Sequence, residues 1–396
     1  MKIQAPFWAE SKELKHLFSL LDDRVRFVGG CVRDTLLGAT PNDTDLATPL
    51  LPAEVKERLE PHFRIIPTGI EHGTLTVLIN GKDLKKAEIT TLRKDIATDG
   101  RHAVVAFSKD WKEDASRRDL TINALYADFQ GNVFDFFGGI DDLKAGIVRF
   151  IGDPSARIRE DYLRVLRFFR FYARYAKRPP DKETLKACRE GIEGVKKLST
   201  DRLRGEFFAL VSSNRAASGL KTAVDCGYSE FFFPVSPNTD ALERFTQYCP
   251  SASVMWRFSA LLPFEAIARN EFSKRWKLSK KDAGFLLKTG KEDVYSSCAA
   301  FSENGLLRFK ERFEKDAETA AFLAAAVTDD ARWLSVGEKI KDIKIPPFCF
   351  SGSDIIAAGV TGRRAGEILA CVKEYWLSKN ARPNRQELLS FMATLI

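Results

Sequence analysis

Residues 25–46 constrain this 396-residue chain more than any other stretch. Residues 25–28 read Val-Arg-Phe-Val, a short apolar run of the kind that forms a buried strand. Gly29 and Gly30 follow at once, and glycine lets a backbone turn tightly and approach a ligand closely. Residues 31–37 read as a helix, with Gly38 as its stop. The first N–H groups of such a helix lack intrahelical partners and point back at the turn. A strand, a glycine turn and a helix start together make a phosphate site. Arg33 adds a planar cationic fork on the same side. Asp43 and Asp45 then alternate along an extended segment, so both carboxylates leave one face. Two hard oxygen ligands beside a phosphate cradle suit Mg²⁺ rather than zinc. Either half alone reads as an ordinary turn or capping device, and only their conjunction points to chemistry.

The rest of the chain divides at about residue 150. Residues 1–24 predict a leading amphipathic helix with Leu14, Leu17, Phe18 and Leu21 on one side. Residues 52–59 predict a short helix opened by Pro52. Runs 63–66, 74–79 and 87–92 alternate and are β-branched, which predicts strands. Residues 94–114 are polar and punctuated and predict a mobile loop, and 132–137 with Gly138 and Gly139 a strand and turn. Beyond 150, helical periodicity takes over. It predicts one long helix over 158–175, stopped before Pro179, then helices over 181–191, 201–213, 215–226, 239–249, 253–270, 279–289, 303–313, 316–327, 331–341, 353–358, 364–379 and 384–394. Residues 231–234, Phe-Phe-Phe-Pro, predict a buried connection. The expected fold is α+β: a mixed-sheet head with helices, then an all-α remainder.

Composition excludes more than it selects. A net charge of +8 and a pI near 9.0 mildly favour a polyanionic partner. The seven cysteines are scattered without a C-x-x-C pair, and the four histidines stand at no ligand spacing from them, so no zinc site is expected. Free thiols, an N-terminus without a signal-peptide core, and a longest apolar run of only 320–327 predict a cytoplasmic chain with no membrane partner.

Two further clusters carry charge in a pattern. Arg117 and Arg118 are adjacent and can clamp triphosphate oxygens; Asp119 can order a sugar or the arginines themselves, and Asn123 could read a ribose 2′-OH. On the expected helix, Asp161, Arg164, Arg167 and Arg170 step by three and share one side. Such a stripe is either a salt-bridged face turned to solvent or a reader of base edges. The second reading has a chemical basis. Cytosine and adenine present an amino donor beside a bare ring nitrogen, whereas guanine and uracil present a carbonyl beside a ring N–H. An ionised Asp only accepts and an Arg only donates, so Asp161 with Arg164 complements C and A and mismatches G and U. Unpaired groups in such a site can produce about 10⁴-fold rejection. Residues 199–207 fit a capped helix in which Arg202 and Glu206 pair at i, i+4, a structural support.

Gly29, Gly30, Arg33, Asp34, Leu36, Leu37 and Gly38, then Asp43 and Asp45, then Arg117, Arg118, Asp119, Asn123 and Ala124, resemble the class II branch of the DNA polymerase beta-type nucleotidyltransferases. That branch holds the tRNA CCA-adding enzymes and bacterial poly(A) polymerases. Residues 135–143 resemble the motif joining its head to its neck, and Glu160, Asp161, Arg164, Arg167 and Arg170 its neck motif. The resemblance implies a head over 1–148, a neck over 149–210, a body over 211–330 and a tRNA-binding tail over 331–396. It implies that Asp43 and Asp45 hold two Mg²⁺ ions. Glu88, on a neighbouring expected strand, is a candidate third carboxylate outside the expected ligand set. Gly30, Arg33 and Arg118 would bind phosphates, Asp161 and Arg164 would select the base with Glu160 bracing them, and Arg167 and Arg170 would contact the nucleotide. The implied reaction is CCA addition to tRNA from CTP and ATP, with no obligatory protein partner. The alternatives are a poly(A) polymerase, a CC-only or A-only enzyme, or a silent RNA-binding protein. Residues 67–77 look like the CCA-adding form, and an intact 93–112 argues against CC-only addition. In the tail, Gly362, Arg363, Arg364 and Gly366 depart from the usual glycine turn, though the two arginines suit RNA phosphates.

Overall fold

The structure is a computed structural model. It describes the chain except residues 5, 42, 68, 70–72, 80–85, 99–102, 292–294 and 296–300, and only the backbone of 95–98 and 103–105. It forms two compact units, one of residues 1–213 with 218–228, the other of 214–217 with 229–396.

The first unit is built on a seven-stranded sheet of β1 (Arg26–Val28), β2 (Asp45–Thr48), β3 (Arg64–Ile66), β4 (Thr74–Leu78), β5 (Lys86–Thr91), β8 (Leu125–Ala127) and β9 (Val133–Asp135), ordered β3-β4-β5-β2-β1-β8-β9. Among the described residues only β2 and β5 pair in parallel. Side chains alternate along each strand, so β1, β2, β8 and β9 feed two cores. Phe27, Leu46, Ile89 and Leu125 join one with Trp8 and α1 (Lys12–Leu20), whose Leu14, Leu17 and Phe18 are buried. Trp8 stacks on Phe27 with ring centroids 3.9 Å apart. Val28, Ala47 and Tyr126 face the other way with Leu92 and Ala115. Asp45 alternates with Leu46 and so belongs to this second face, where it begins β2 at the sheet's open end. The leading helix starts at Lys12 rather than at the N-terminus, after Ser11, whose hydroxyl accepts from the Leu14 N–H.

Three expectations are corrected. Residues 94–114 are not a loop: β6 (Arg93–Thr98) and β7 (Ala103–Phe107) form an antiparallel pair, and α4 (Trp111–Ser116) follows. Ala-Val-Val-Ala-Phe at 103–107 is strand-forming despite its charged flanks; the turn at 99–102 lies outside the described residues. The long neck helix is two helices, α6 (Pro154–Glu160) and α7 (Leu163–Tyr175), parted at Asp161 with φ −153° and ψ 108°. Apolar spacing runs on through the break, because Ile158, Val165, Leu166 and Phe169 all remain buried. Residues 253–270 are likewise two helices, Val254–Leu261 and Ala266–Arg275, with Pro263 between them. Downstream of Asp135, the side chain caps α5 (Gly139–Ala145), accepting from the N–H groups of Phe137, Gly139 and Ile140.

The second unit is helical throughout its described residues. One core gathers Trp333, Tyr295, Phe309 and Phe313 around the alanine-rich helix Ala317–Thr328; another gathers Phe350, Ile355, Trp376 and Leu388. Phe232 and Phe233 are buried, as expected of 231–234, with Phe232 ending a short helix Ser229–Phe232. Among the described residues no helix is long and apolar enough to cross a membrane.

The break at Asp161 is braced from α9 (Ile192–Val195): a Cβ on Gly194 would stand 2.1 Å from the Tyr162 ring. Gly194→Ala therefore forces Tyr162 and the break to move. We expect a loss of about 1–3 kcal/mol in urea unfolding, as for other overpacked contacts.

Candidate active site

Asp45 is half-buried where β2 begins, Thr44 before it is buried, and Asp43 is exposed. The parallel register sets Glu88 of β5 beside Asp45. Burial pushes the Asp45 carboxyl up, the charges of Glu88 and Asp43 push it further, and Arg118 and Lys86 oppose them. Lys86 pairs with Glu88 at 2.8 Å. Mutual repulsion among acidic oxygens is what a hard divalent cation relieves, so the donor set fits one. No group of three His, Cys, Asp or Glu is set for a metal among the described residues. Two carboxylates suffice where substrate phosphates complete the coordination.

The glycine turn lies beside this face. Gly29 has φ +73°, a backbone region that glycine tolerates, and α2 (Gly30–Leu36) starts at the next residue. Two guanidinium groups flank it. Arg118 Nη1 is 3.5 Å from where a Gly29 Cβ would stand, and Arg33 Nη2 is 3.6 Å from that of Gly30. Arg33 is buried against α7: Nε donates to Asp34 Oδ1 at 2.9 Å, Nη1 donates to Asn123 Oδ1, and the group lies over the Tyr175 ring. Asn123 also donates to Asp119, so its amide is engaged at both ends rather than presented to a ribose.

Asp114, which sequence reasoning passed over, holds the arginine pair. Its Oδ1 accepts from Arg117 Nε and Nη2 at 2.9 and 2.7 Å, and its Oδ2 from Arg118 Nη2 at 3.3 Å and the Tyr126 hydroxyl at 2.7 Å. Burial pushes this carboxyl up, but Arg118, Arg117 and the Tyr126 hydrogen bond outweigh it and hold it below the usual range. An acid three and four residues ahead of two arginines on a helical stretch was the available signal.

The stripe of Asp161, Arg164, Arg167 and Arg170 is tied up within the fold, two members to the sheet region and two to the helix Thr200–Val211. Arg164 Nη1 donates to Glu160 Oε2 at 2.5 Å and to the Arg157 carbonyl at 3.0 Å, and Nη2 to the Arg117 carbonyl at 3.0 Å. Arg167 meets Asp119 at 2.6 Å, and Arg170 meets Glu206 at 2.6 Å. Asp161, at the break rather than on a continuous helix, accepts from the Leu163 N–H and from Arg202. The expected Arg202–Glu206 pair is thus replaced by three longer-range ones: Arg202 reaches Asp161, and Glu206 reaches Arg167 and Arg170.

Residues 25–149 match the family model described as the poly A polymerase head domain, and 179–238 one described as the probable RNA and SrmB-binding site of polymerase A. The mitochondrial CCA tRNA nucleotidyltransferase 1 of Mus musculus is 33% identical over 410 residues, covering 99% of this chain and 93% of that protein. The chain belongs to the CCA tRNA nucleotidyltransferase family. Solved structures of family members share its fold. The Bacillus stearothermophilus CCA-adding enzyme in complex with CTP has a TM-score of 0.72 at 24% identity, covering 97% of this chain and 96% of that one. A CCA-adding enzyme with ATP has a TM-score of 0.73 at 19% identity, covering 100% and 99%. Enzymes of this nucleotidyltransferase superfamily use divalent metals, in keeping with the carboxylates above.

Asp114→Asn leaves two half-buried arginines without their carboxylate, which is itself buried. Thermal unfolding at pH 7 should report a loss of about 3 kcal/mol, the usual cost of breaking a buried pair. Because the folded-state value is depressed, this contribution is present above the unfolded carboxyl range near pH 4 and fades as pH falls through the folded one. The gap between wild type and variant should therefore narrow in acid.

Proposed function

We propose that this chain adds CMP and AMP to the 3′ end of tRNA without a nucleic-acid template, using CTP and ATP and releasing pyrophosphate. Full-length relatives carry the name of that enzyme. The observation that carries the reading is a pair of neighbours. The Arg117 carbonyl accepts from Arg164, and the Arg118 guanidinium stands beside the glycine turn. A base end and a phosphate end thus meet on consecutive residues.

In this reading Asp43 and Asp45 hold Mg²⁺, with Glu88 a candidate third carboxylate. When bound, the metal neutralises charge on the transferring phosphoryl group and favours the ionised 3′-hydroxyl. Gly30 lets the backbone approach the triphosphate, and Arg33 and Arg118 bind its oxygens. Asp161 accepts from the exocyclic amino group and Arg164 donates to the ring nitrogen, while Arg167 and Arg170 contact the nucleotide. The modules are a catalytic head over 1–148, a neck over 149–210, a body over 211–330 and a tRNA-binding tail over 331–396. In the tail, Arg363 and Arg364 open the helix Gly362–Ser378 with side chains 95% and 62% exposed, open to RNA phosphates. A reducing cytoplasm suits the six described cysteines, all free.

Purified protein, Mg²⁺ and a tRNA ending at the discriminator base, incubated with each NTP singly and together, test the reading. Growth by three nucleotides with CTP plus ATP is expected; long A tails, one or two additions, or no product would each replace it. Asp43→Ala should lower addition by about 10³-fold or more, since several kcal/mol of charge stabilisation is removed. Arg164→Ala should retain some transfer but blur the choice among NTPs, read as the ratio of kcat/KM for CTP and UTP.

A further inference from the structure

Arg202 lies on α10 (Thr200–Val211), outside the motifs that bind phosphate or read the base. Its Nη2 nevertheless donates to both carboxylate oxygens of Asp161, at 3.2 Å to Oδ1 and 3.0 Å to Oδ2. Oδ1 also accepts from the Leu163 N–H at 3.1 Å. Each carboxylate oxygen offers two lone pairs. Oδ1 is therefore filled, and Oδ2 keeps one acceptor direction. The Asp161 side chain is 29% exposed, so that direction is not sealed in the core.

We propose that Arg202 is a positioning residue for base selection: by fixing the plane of the Asp161 carboxylate, it leaves a single acceptor for an exocyclic amino group. This rests on Asp161 and Arg164 being the base readers. Uracil shows why the plane matters. It offers its carbonyl and ring N–H in the reverse order to the amino group and bare nitrogen of cytosine. A carboxylate free to swing could take the ring N–H while Arg164 reached the carbonyl. Arg164 is held on its side by Glu160 and by the carbonyls of Arg157 and Arg117. Arg202 supplies the matching restraint on Asp161, and both must yield before uracil fits.

The test is CMP and UMP incorporation onto a tRNA lacking its CCA end, by wild type, Arg202→Ala, Arg202→Lys and Asp161→Asn, with thermal unfolding of each. The CTP-to-UTP ratio of kcat/KM should fall about tenfold in Arg202→Ala, in line with the loss of one positioned contact. Arg202→Lys keeps the charge but not the planar fork, so it should restore part of the ratio. A merely structural role would lower both kcat/KM values together and leave the ratio alone. A ratio within about twofold of wild type in the folded Arg202 variants overturns the proposal. If the ratio collapses in Asp161→Asn alone, only the role of Arg202 is lost. If Asp161→Asn keeps the ratio, base reading by Asp161 is itself wrong.

Discussion

The meeting of Arg167 with Asp119 at 2.6 Å joins the neck to the head, and the geometry of the site follows from it. Asp119 is 7% exposed, and a buried carboxylate without a cation costs several kcal/mol. Its Oδ1 is already taken by Asn123 and the Leu120 N–H, so its register is settled from within the head. Arg167 must come to it. That fixes α7 along its own axis, and three residues earlier, about 4.5 Å of helix rise, Arg164 arrives at the Arg117 carbonyl. The same interaction extends outward through Glu206 to Arg170 on one side, and through Asn123 to Arg33 on the other.

This arrangement explains how so many arginines coexist near one turn. Arg117 and Arg118 share Asp114, Arg167 and Arg170 share Glu206, and Arg33 has Asp34. Each carboxylate holds a guanidinium in place before any ligand arrives, so little reorganisation is left for the moment of binding. The pairs are not so complete as to exclude a nucleotide. Arg118 Nη1 and Arg33 Nη2 make no hydrogen bond within the described residues, and these are the two nitrogens nearest the glycine turn.

Much of this was open to a reader of the sequence because it is written in local patterns. The strand, glycine turn and helix of 26–36, the helix Pro52–Leu59 and the alternating strands of the sheet depend on spacing that neighbouring residues declare. Part of what escaped depends on partners far away in the chain. Asp114 is one polar residue in a charged run until the fold buries it under Tyr126. Glu206 sits where an i+4 partner was expected, yet two arginines 36 and 39 residues earlier claim it. The break at Asp161 was hidden for the opposite reason. The apolar residues on either side keep one helical phase, so periodicity alone reads straight through it, and only the tertiary contact of Tyr162 with Gly194 reveals the change of direction.

That break bears on the proposed role of Asp161. Within a continuous helix, the N–H of Leu163 would be committed to a carbonyl one turn back. At the start of α7 it is free, and Asp161 Oδ1 accepts it at 3.1 Å. Arg202 holds the same carboxylate from α10, at 3.0 Å to Oδ2. One restraint comes from the backbone and one from a guanidinium, and together they fix the plane in which the carboxylate accepts. A helix that ran on without interruption would give up one of the two interactions that hold this side chain in place. On the proposed reading, the discontinuity between α6 and α7 belongs to the base-reading device and is no imperfection in the helix that carries it.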